Sequence, residues 1–177
     1  MSKLTVPVDK QDHMQGSQQA PIILVEYGDY ECPYCGEAYP LVKEVKSLLG
    51  KSLCFVFRNF PLTESHAHAM SAAVAAEAGA LQGKFWQMHD MLYENQGALE
   101  DEDLLGYARD LRLDTDAFQA AFRDKNIAKR IKDDFRGGVR SGVNGTPSFY
   151  INGIKYEGPL SAEALLEDME SMVSMRK

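Results

Sequence analysis

Cys32 and Cys35 are separated by Pro33 and Tyr34, and this pair is where the chemistry of the chain can be read first. Wound into the first turn of a helix, a Cys-x-x-Cys pair brings its two sulfurs within bonding reach. The start of a helix also offers free N–H groups and a partial positive charge, both of which favour a thiolate. Only the first cysteine is well placed to benefit, so Cys32 is the candidate nucleophile and Cys35 the resolving thiol. An unperturbed thiol of pKa ~8.5 is about 3% ionised at pH 7. Lowering it by ~2 units makes it mostly thiolate and speeds attack on a disulfide.

Three readings of the pair stand at this point: a redox centre, half of a zinc site, or an inert structural pair. Zinc needs four ligands, and only Cys54, His13, His66, His68 and His89 remain. His66 and His68 are two apart and diverge on a helix, where a solvated helix start suits them. Cys54 sits in an apolar run and reads as a small core residue. Cys-x-x-Cys beside a βαβ pattern points to redox chemistry, and no metal or bound cofactor is expected.

The elements that must position the pair follow from the apolar pattern. Ile22 to Val25 is a continuous, β-branched run, the pattern of a strand buried on both faces, ending at Gly28-Asp29. Pro33 opens a helix with Leu41, Val42, Val45, Leu48 and Leu49 inward, a kink at Pro40 and Gly50 as its stop. Leu53 to Phe57 is a second strand, so residues 22–57 form one βαβ unit. Leu4 to Val8 can add an edge strand. Residues 63–142 carry helical patterns only. Thr63 or Ser65 caps the first, Phe85 to Tyr93 is the second, and Leu104 to Leu111 mark the third. Asp114 caps a fourth, with Phe118, Ala121 and Phe122 inward. A fifth has Ile127, Ile131, Phe135 and Val139 inward and is weakened by Gly137-Gly138. Trp86 and His89 read as packing or helix-surface groups. Strands return as a hairpin, Ser148 to Ile151 and Ile154 to Tyr156, around Asn152-Gly153. Ser161 caps a last helix with Leu165, Leu166, Met169 and Val173 inward.

Composition sets the outer limits. The chain has 177 residues, 45% apolar and 25% charged, which is ordinary for a globular domain. That length buries roughly 70% of the unfolded surface without help from a metal or disulfide. The net charge of −7 repels phosphate backbones, so nucleic acid is not an expected partner. No apolar run nears the ~18 residues of a membrane helix, and the first ten residues lack a signal-peptide core. A cytoplasmic setting is expected, or a periplasmic one if a signal has been removed.

The segment Ala20-Pro21-Ile22-Ile23-Leu24-Val25-Glu26-Tyr27-Gly28-Asp29-Tyr30-Glu31-Cys32-Pro33-Tyr34-Cys35-Gly36 resembles the active-site stretch of DsbA-like thiol–disulfide oxidoreductases. Val143-Asn144-Gly145-Thr146-Pro147-Ser148-Phe149, followed by Ile151-Asn152-Gly153, resembles their second signature, and Phe85 to Asp90 a piece of their helical insertion. The resemblance covers about residues 4–173. It implies an α/β thioredoxin fold (β-α-β…β-β-α) from residues 1–62 and 143–177, with an inserted all-helical subdomain over 63–142. It implies a cis Thr146-Pro147 bond facing the cysteines, with Thr146, Pro147, Pro33 and Tyr34 at the substrate. It also implies a buried Glu26 beneath the disulfide that moves the proton of the resolving thiol, a task that burial suits by raising its pKa. Asp29, Glu31 and Glu37 bring negative charge near the site and, if close, raise the Cys32 pKa. The expected partners are protein disulfides or thiols, with glutathione a candidate small thiol because Pro33-Tyr34 is the glutaredoxin-type dipeptide. The alternatives are a glutathione-dependent reductase, a redox-sensing or peptide-binding module, and a soft-metal chaperone.

Overall fold

Both apolar runs at the start of the chain are buried strands, and they lie side by side. The computed structural model describes residues 2–174, so the outermost expected bounds, 1 and 177, lie outside the described residues. Strand β2 (Ile22–Gly28) pairs in parallel with β3 (Leu53–Asn59), and helix α1 (Pro33–Leu49) crosses between them. β4 (Ser148–Ile151) runs antiparallel to β2, and β5 (Ile154–Lys155) antiparallel to β4. The short β1 (His13–Gln15) closes the other edge against β3, giving the order β1-β3-β2-β4-β5. The expected edge strand at Leu4 to Val8 is not formed. The chain start instead bridges β5 at Lys3, and Leu4 and Val8 pack under the sheet.

Alternation along the strands divides the core in two. Ile22, Leu24, Leu53, Phe55, Phe57, Phe149 and Ile151 face one side, with α1 and the last helix, α7 (Ala162–Ser174). The same apolar cluster runs on into α2 (Ala69–Leu81), α3 (Phe85–Glu94), α4 (Asp101–Asp110) and α5 (Thr115–Ala121). The helical block therefore shares its core with the sheet. Val25, Tyr27, Cys54, Val56 and Tyr150 face the other side, and Phe135 of α6 (Lys125–Ser141) packs there.

Five expectations about the helices change. α2 starts at Ala69, with no side-chain cap of its own; Glu31, from before α1, accepts the His68 N–H at 2.6 Å and does a cap's work from a distance. Val139 is 53% exposed because steps of four residues drift 40° each on a helix of 3.6 residues per turn. By Val139 the stripe begun at Ile127 has turned away, and Gly137 and Gly138 take the buried places. A methyl on Gly138 would lie 2.7 Å from the Phe60 ring, so these glycines allow close packing rather than weakening the helix. Leu48 falls off the Cys35, Ala38, Val42, Val45 stripe of α1 and is exposed. Phe122 lies just past the end of α5, half-exposed, with its edge on Phe118. Ser161 does cap α7, accepting the Ala164 N–H at 3.2 Å.

Candidate active site

Cys32 is the residue before the first turn of α1, with Pro33 opening the helix. Its extended backbone (φ −69°, ψ 121°) directs the chain from strand to helix, and its N–H donates to the Asp29 carbonyl at 3.2 Å. Cys35 lies one turn in and is wholly buried. Both are free thiols, as is Cys54, which is buried in the apolar core on the opposite face of the sheet.

The loop before β4 closes over the pair. The Thr146–Pro147 peptide is cis. The Cys32 thiol donates to the Thr146 carbonyl at 3.4 Å, a contact between residues 114 positions apart. Asn144 to Phe149 line one wall of an open groove of about 540 Å³, with Tyr34, Lys155, Tyr156 and Leu160 opposite. Tyr34 is 64% exposed beside that groove, whereas Cys32 is 3% exposed.

The two thiols differ in acidity. A hydrogen bond from Cys35 lowers the Cys32 pKa to about 5 against the cost of burial, helped by Thr146 and by the N–H groups of Tyr34 and Cys35. Burial pushes Cys35 well above the usual thiol range, and its hydrogen bond to Cys32 and the Glu26 charge push the same way. Glu26 lies between Phe57 and Phe149 in the sheet register, 2% exposed. Burial raises its pKa to about 8, the Cys32 charge adds to this, and Lys46 of α1 opposes it.

The acidic residues beside the pair are tied down. Asp29 is buried and accepts from the Leu62 N–H and His66 Nδ1, both at 2.8 Å, and from the Glu31 N–H. Burial works against protonation of His66, but Asp29 outweighs it and raises the imidazole pKa. Glu31 holds the start of α2, and Glu37 lies on α1 beyond the first turn. His68 does not join His66, and among the described residues no group of three His, Cys, Asp or Glu could hold a metal ion.

The helical block contributes Gln96 and Tyr93, which the sequence did not mark, beside His89 and Trp86, which pack there as expected. Gln96, after α3, donates through Nε2 to the carbonyls of Tyr30 (2.8 Å) and Cys32 (2.9 Å). This contact requires Gly36, where a methyl would overlap the Gln96 side chain. His89 is buried and meets the Tyr30 hydroxyl through Nδ1 at 3.0 Å, and Trp86 donates to the Met14 carbonyl. The Tyr93 ring lies tilted 4.8 Å from Tyr30 and stacks 5.3 Å from Tyr39, close under the cysteine helix. Gln96 and Tyr93 lie some 60 positions from Cys32, and no local pattern announces their contacts with the site.

The chain is 48% identical over 163 residues to a protein of Salinispora arenicola named Na(+)/H(+) antiporter NhaA 1, covering 92% of this chain and 25% of that protein. The chain thus spans about a quarter of the length of the curated relatives it matches. Among solved structures, a thioredoxin-like oxidoreductase from Silicibacter pomeroyi DSS-3 superposes with a TM-score of 0.82 at 26% identity, covering 92% of each chain. The alpha-DsbA1 of Wolbachia pipientis superposes with a TM-score of 0.81 at 20% identity, covering 97% of this chain and 95% of that one, a likeness of fold. Residues 8–170 match the thioredoxin family, and the chain belongs to that family, with a helical block between its third and fourth strands.

Proposed function

We propose that the chain is a thiol–disulfide oxidoreductase in which Cys32 attacks and Cys35 resolves. The observation that supports this best is the unequal placement of the two sulfurs. Cys32 sits at the helix start against the Thr146 carbonyl, 3.4 Å away, while Cys35 is sealed one turn deeper. A thiol with a pKa of about 5 is ionised at neutral pH and ready to attack.

The Cys32 thiolate attacks one sulfur of a substrate disulfide, and the other sulfur leaves as a thiolate. Cys32 has then lost its charge, so one of the influences holding Glu26 protonated is gone. Glu26 ionises more readily at that moment and can take the Cys35 proton. The Cys35 thiolate attacks Cys32, the mixed disulfide breaks, and the second substrate thiolate is released. The protein dithiol is oxidised by two electrons and the substrate disulfide reduced by two. The same steps run backward when the partner is a dithiol, and relative reduction potentials set the direction. The groove between Tyr34 and the Thr146-Pro147 loop suits an extended peptide, whose backbone pairs with Thr146.

Substitution of Cys35 tests this. Cys35→Ser is expected to accumulate a stable mixed disulfide between Cys32 and a protein substrate such as reduced-and-reoxidised insulin, visible as a mass increase removed by dithiothreitol. Cys32→Ser is expected to accumulate none. Equal trapping by both variants overturns the assignment. Retained turnover of Cys35→Ser with glutathione favours glutathione as the co-substrate.

The relatives named as antiporters favour a second reading, in which the same cysteine pair serves as a redox switch within a larger protein. No helix among the described residues is long and apolar enough to cross a membrane. A switch predicts one stoichiometric exchange with glutathione; an enzyme predicts many turnovers.

A further inference from the structure

We infer that the Tyr93 hydroxyl is the hydrogen-bond donor for the negative charge that passes between Cys35 and Glu26 when the mixed disulfide is resolved. The inference rests on the exchange chemistry proposed above and adds a residue to it. Tyr93 is 6% exposed, and its hydroxyl is buried without a hydrogen-bond partner. Its ring is held by Tyr30, Tyr39 and His89, and a phenylalanine would pack there equally well. A buried hydroxyl without a partner costs stability, so packing alone gives no reason for it.

The position of the oxygen supplies the reason. A methyl built on Gly28 would lie 2.8 Å from it, so the hydroxyl occupies the space that glycine leaves open. Gly28 follows Glu26 by two residues and shares its face of β2. Cys35 belongs to the same apolar cluster as Tyr93. The titratable groups around the phenol are Cys35, Glu26, Tyr30 and Asp29, with Tyr39 and His89 against its ring. Burial, followed by the charges of Cys35 and Glu26, keeps it protonated, so it can act only as a donor toward an anion.

In the resting dithiol, Cys35 is a neutral thiol and Glu26 is protonated below about pH 8, so neither presents an anion to the hydroxyl, and the Asp29 carboxyl oxygens are engaged by Leu62, His66 and Glu31. Once the Cys32 charge is gone, Glu26 releases its proton to water; its carboxylate then takes the Cys35 proton, and the Cys35 thiolate attacks Cys32. The Cys32–substrate bond breaks, and the substrate thiolate leaves. The hydroxyl acquires an acceptor only while that charge exists. A contact made in the transition state and missing in the ground state is one that raises a rate.

The test uses the dithiol protein and one equivalent of Ellman's reagent. The first release of thionitrobenzoate reports attack by Cys32 and the second reports resolution by Cys35. Tyr93→Phe is expected to slow the second phase about tenfold and move its pH profile upward. The first phase should stay within twofold and the thermal midpoint should hold or rise. A second phase within twofold of wild type overturns the inference, as does equal slowing of both phases or a lowered midpoint, which would mark Tyr93 as structural. If the wild-type protein shows no second release, the exchange reading fails rather than the role of Tyr93.

Discussion

Glu26 and Glu77 are the same residue type, 2% and 3% exposed, yet the protein drives their acidities in opposite directions. Glu26 has phenylalanines beside it in the sheet and only Lys46 as a distant cation, and its pKa climbs to about 8. Burial pushes Glu77 up too, but its neighbours outweigh that and hold it below the ordinary carboxylate range. His13 Nε2 meets both its oxygens at 2.9 and 3.0 Å, Asn59 donates at 2.8 Å, and Arg130 Nε lies 3.0 Å away. Asp134, which accepts the Asn59 N–H at 3.0 Å, is intermediate: burial raises it to about 7. A buried acid supplied with partners joins elements of the fold, here β1, α2, β3 and α6. One left without partners holds a proton that it can exchange near neutral pH.

Removing the satisfied acid should have the larger effect. Glu77→Ala leaves His13, Asn59 and Arg130 around an empty site. Breaking a buried pair from one side typically costs about 3–5 kcal/mol. A urea unfolding curve at pH 7 is expected to show a loss of that order, while the pH at which Cys32 is half-alkylated stays near 5. A shift of the Cys32 midpoint would mean that the two clusters are coupled, and the contrast between them would fail.

Neutralising the unsatisfied acid should do the reverse. Glu26 has a folded pKa of about 8 and an ordinary value of 4.5, so between those limits the folded protein binds the extra proton. Its contribution to stability is complete below pH 4.5 and is lost as the pH rises through 8. Glu26→Gln never ionises. It should match wild type below pH 4 and exceed it by about 4 kcal/mol at pH 8. Glu77 has the opposite sign: its stabilisation is present above pH 4.5 and is lost as the pH falls through its lowered folded value. Glu26→Gln should also slow release of the mixed disulfide, because the proton acceptor for Cys35 is gone. A variant more stable at pH 8 yet slower in resolution would separate the two roles; one less stable at pH 8 would place a hidden partner on Glu26.

The sequence made one of these acids legible and not the other. Glu26 stands out as a charge closing an apolar strand six residues before Cys32. Its burial is what the family resemblance implies, and the structure places it between Phe57 and Phe149. Glu77 is one acid in an alanine-rich helix, and its partners come from residues 13, 59 and 130. Contacts that span the chain leave no periodic trace. For the same reason Gln96 and Tyr93 went unmarked, and α2 was expected to start at Thr63 or Ser65 when its start is held by Glu31. Local signals did locate most elements, because strands and helices are written in the spacing of their apolar residues. They fail at Val139, where the stripe continues past the turn at which it leaves the core, and at Leu48, which lies beside its stripe rather than on it.

The smallest effect completes the comparison with an acid in water. Asp133 precedes Asp134 on α6, but its carboxylate is solvent-exposed and pairs with Lys129 one turn earlier at 2.5 Å. A hydrogen bond from Lys129 lowers its pKa, the same direction as in Glu77. Direction alone would class the two together. The difference lies in the alternative open to each group: Asp133 exchanges its lysine for water, whereas Glu77 has nothing to exchange its partners for. Exposed pairs at i,i+4 gain little Coulomb energy in high dielectric and lose side-chain freedom. Lys129→Ala is therefore expected to leave the urea midpoint unchanged at low and at high salt. A salt-dependent loss on the scale of Glu77→Ala would show that charge pairing in itself, rather than burial of the pair, is what distinguishes the clusters.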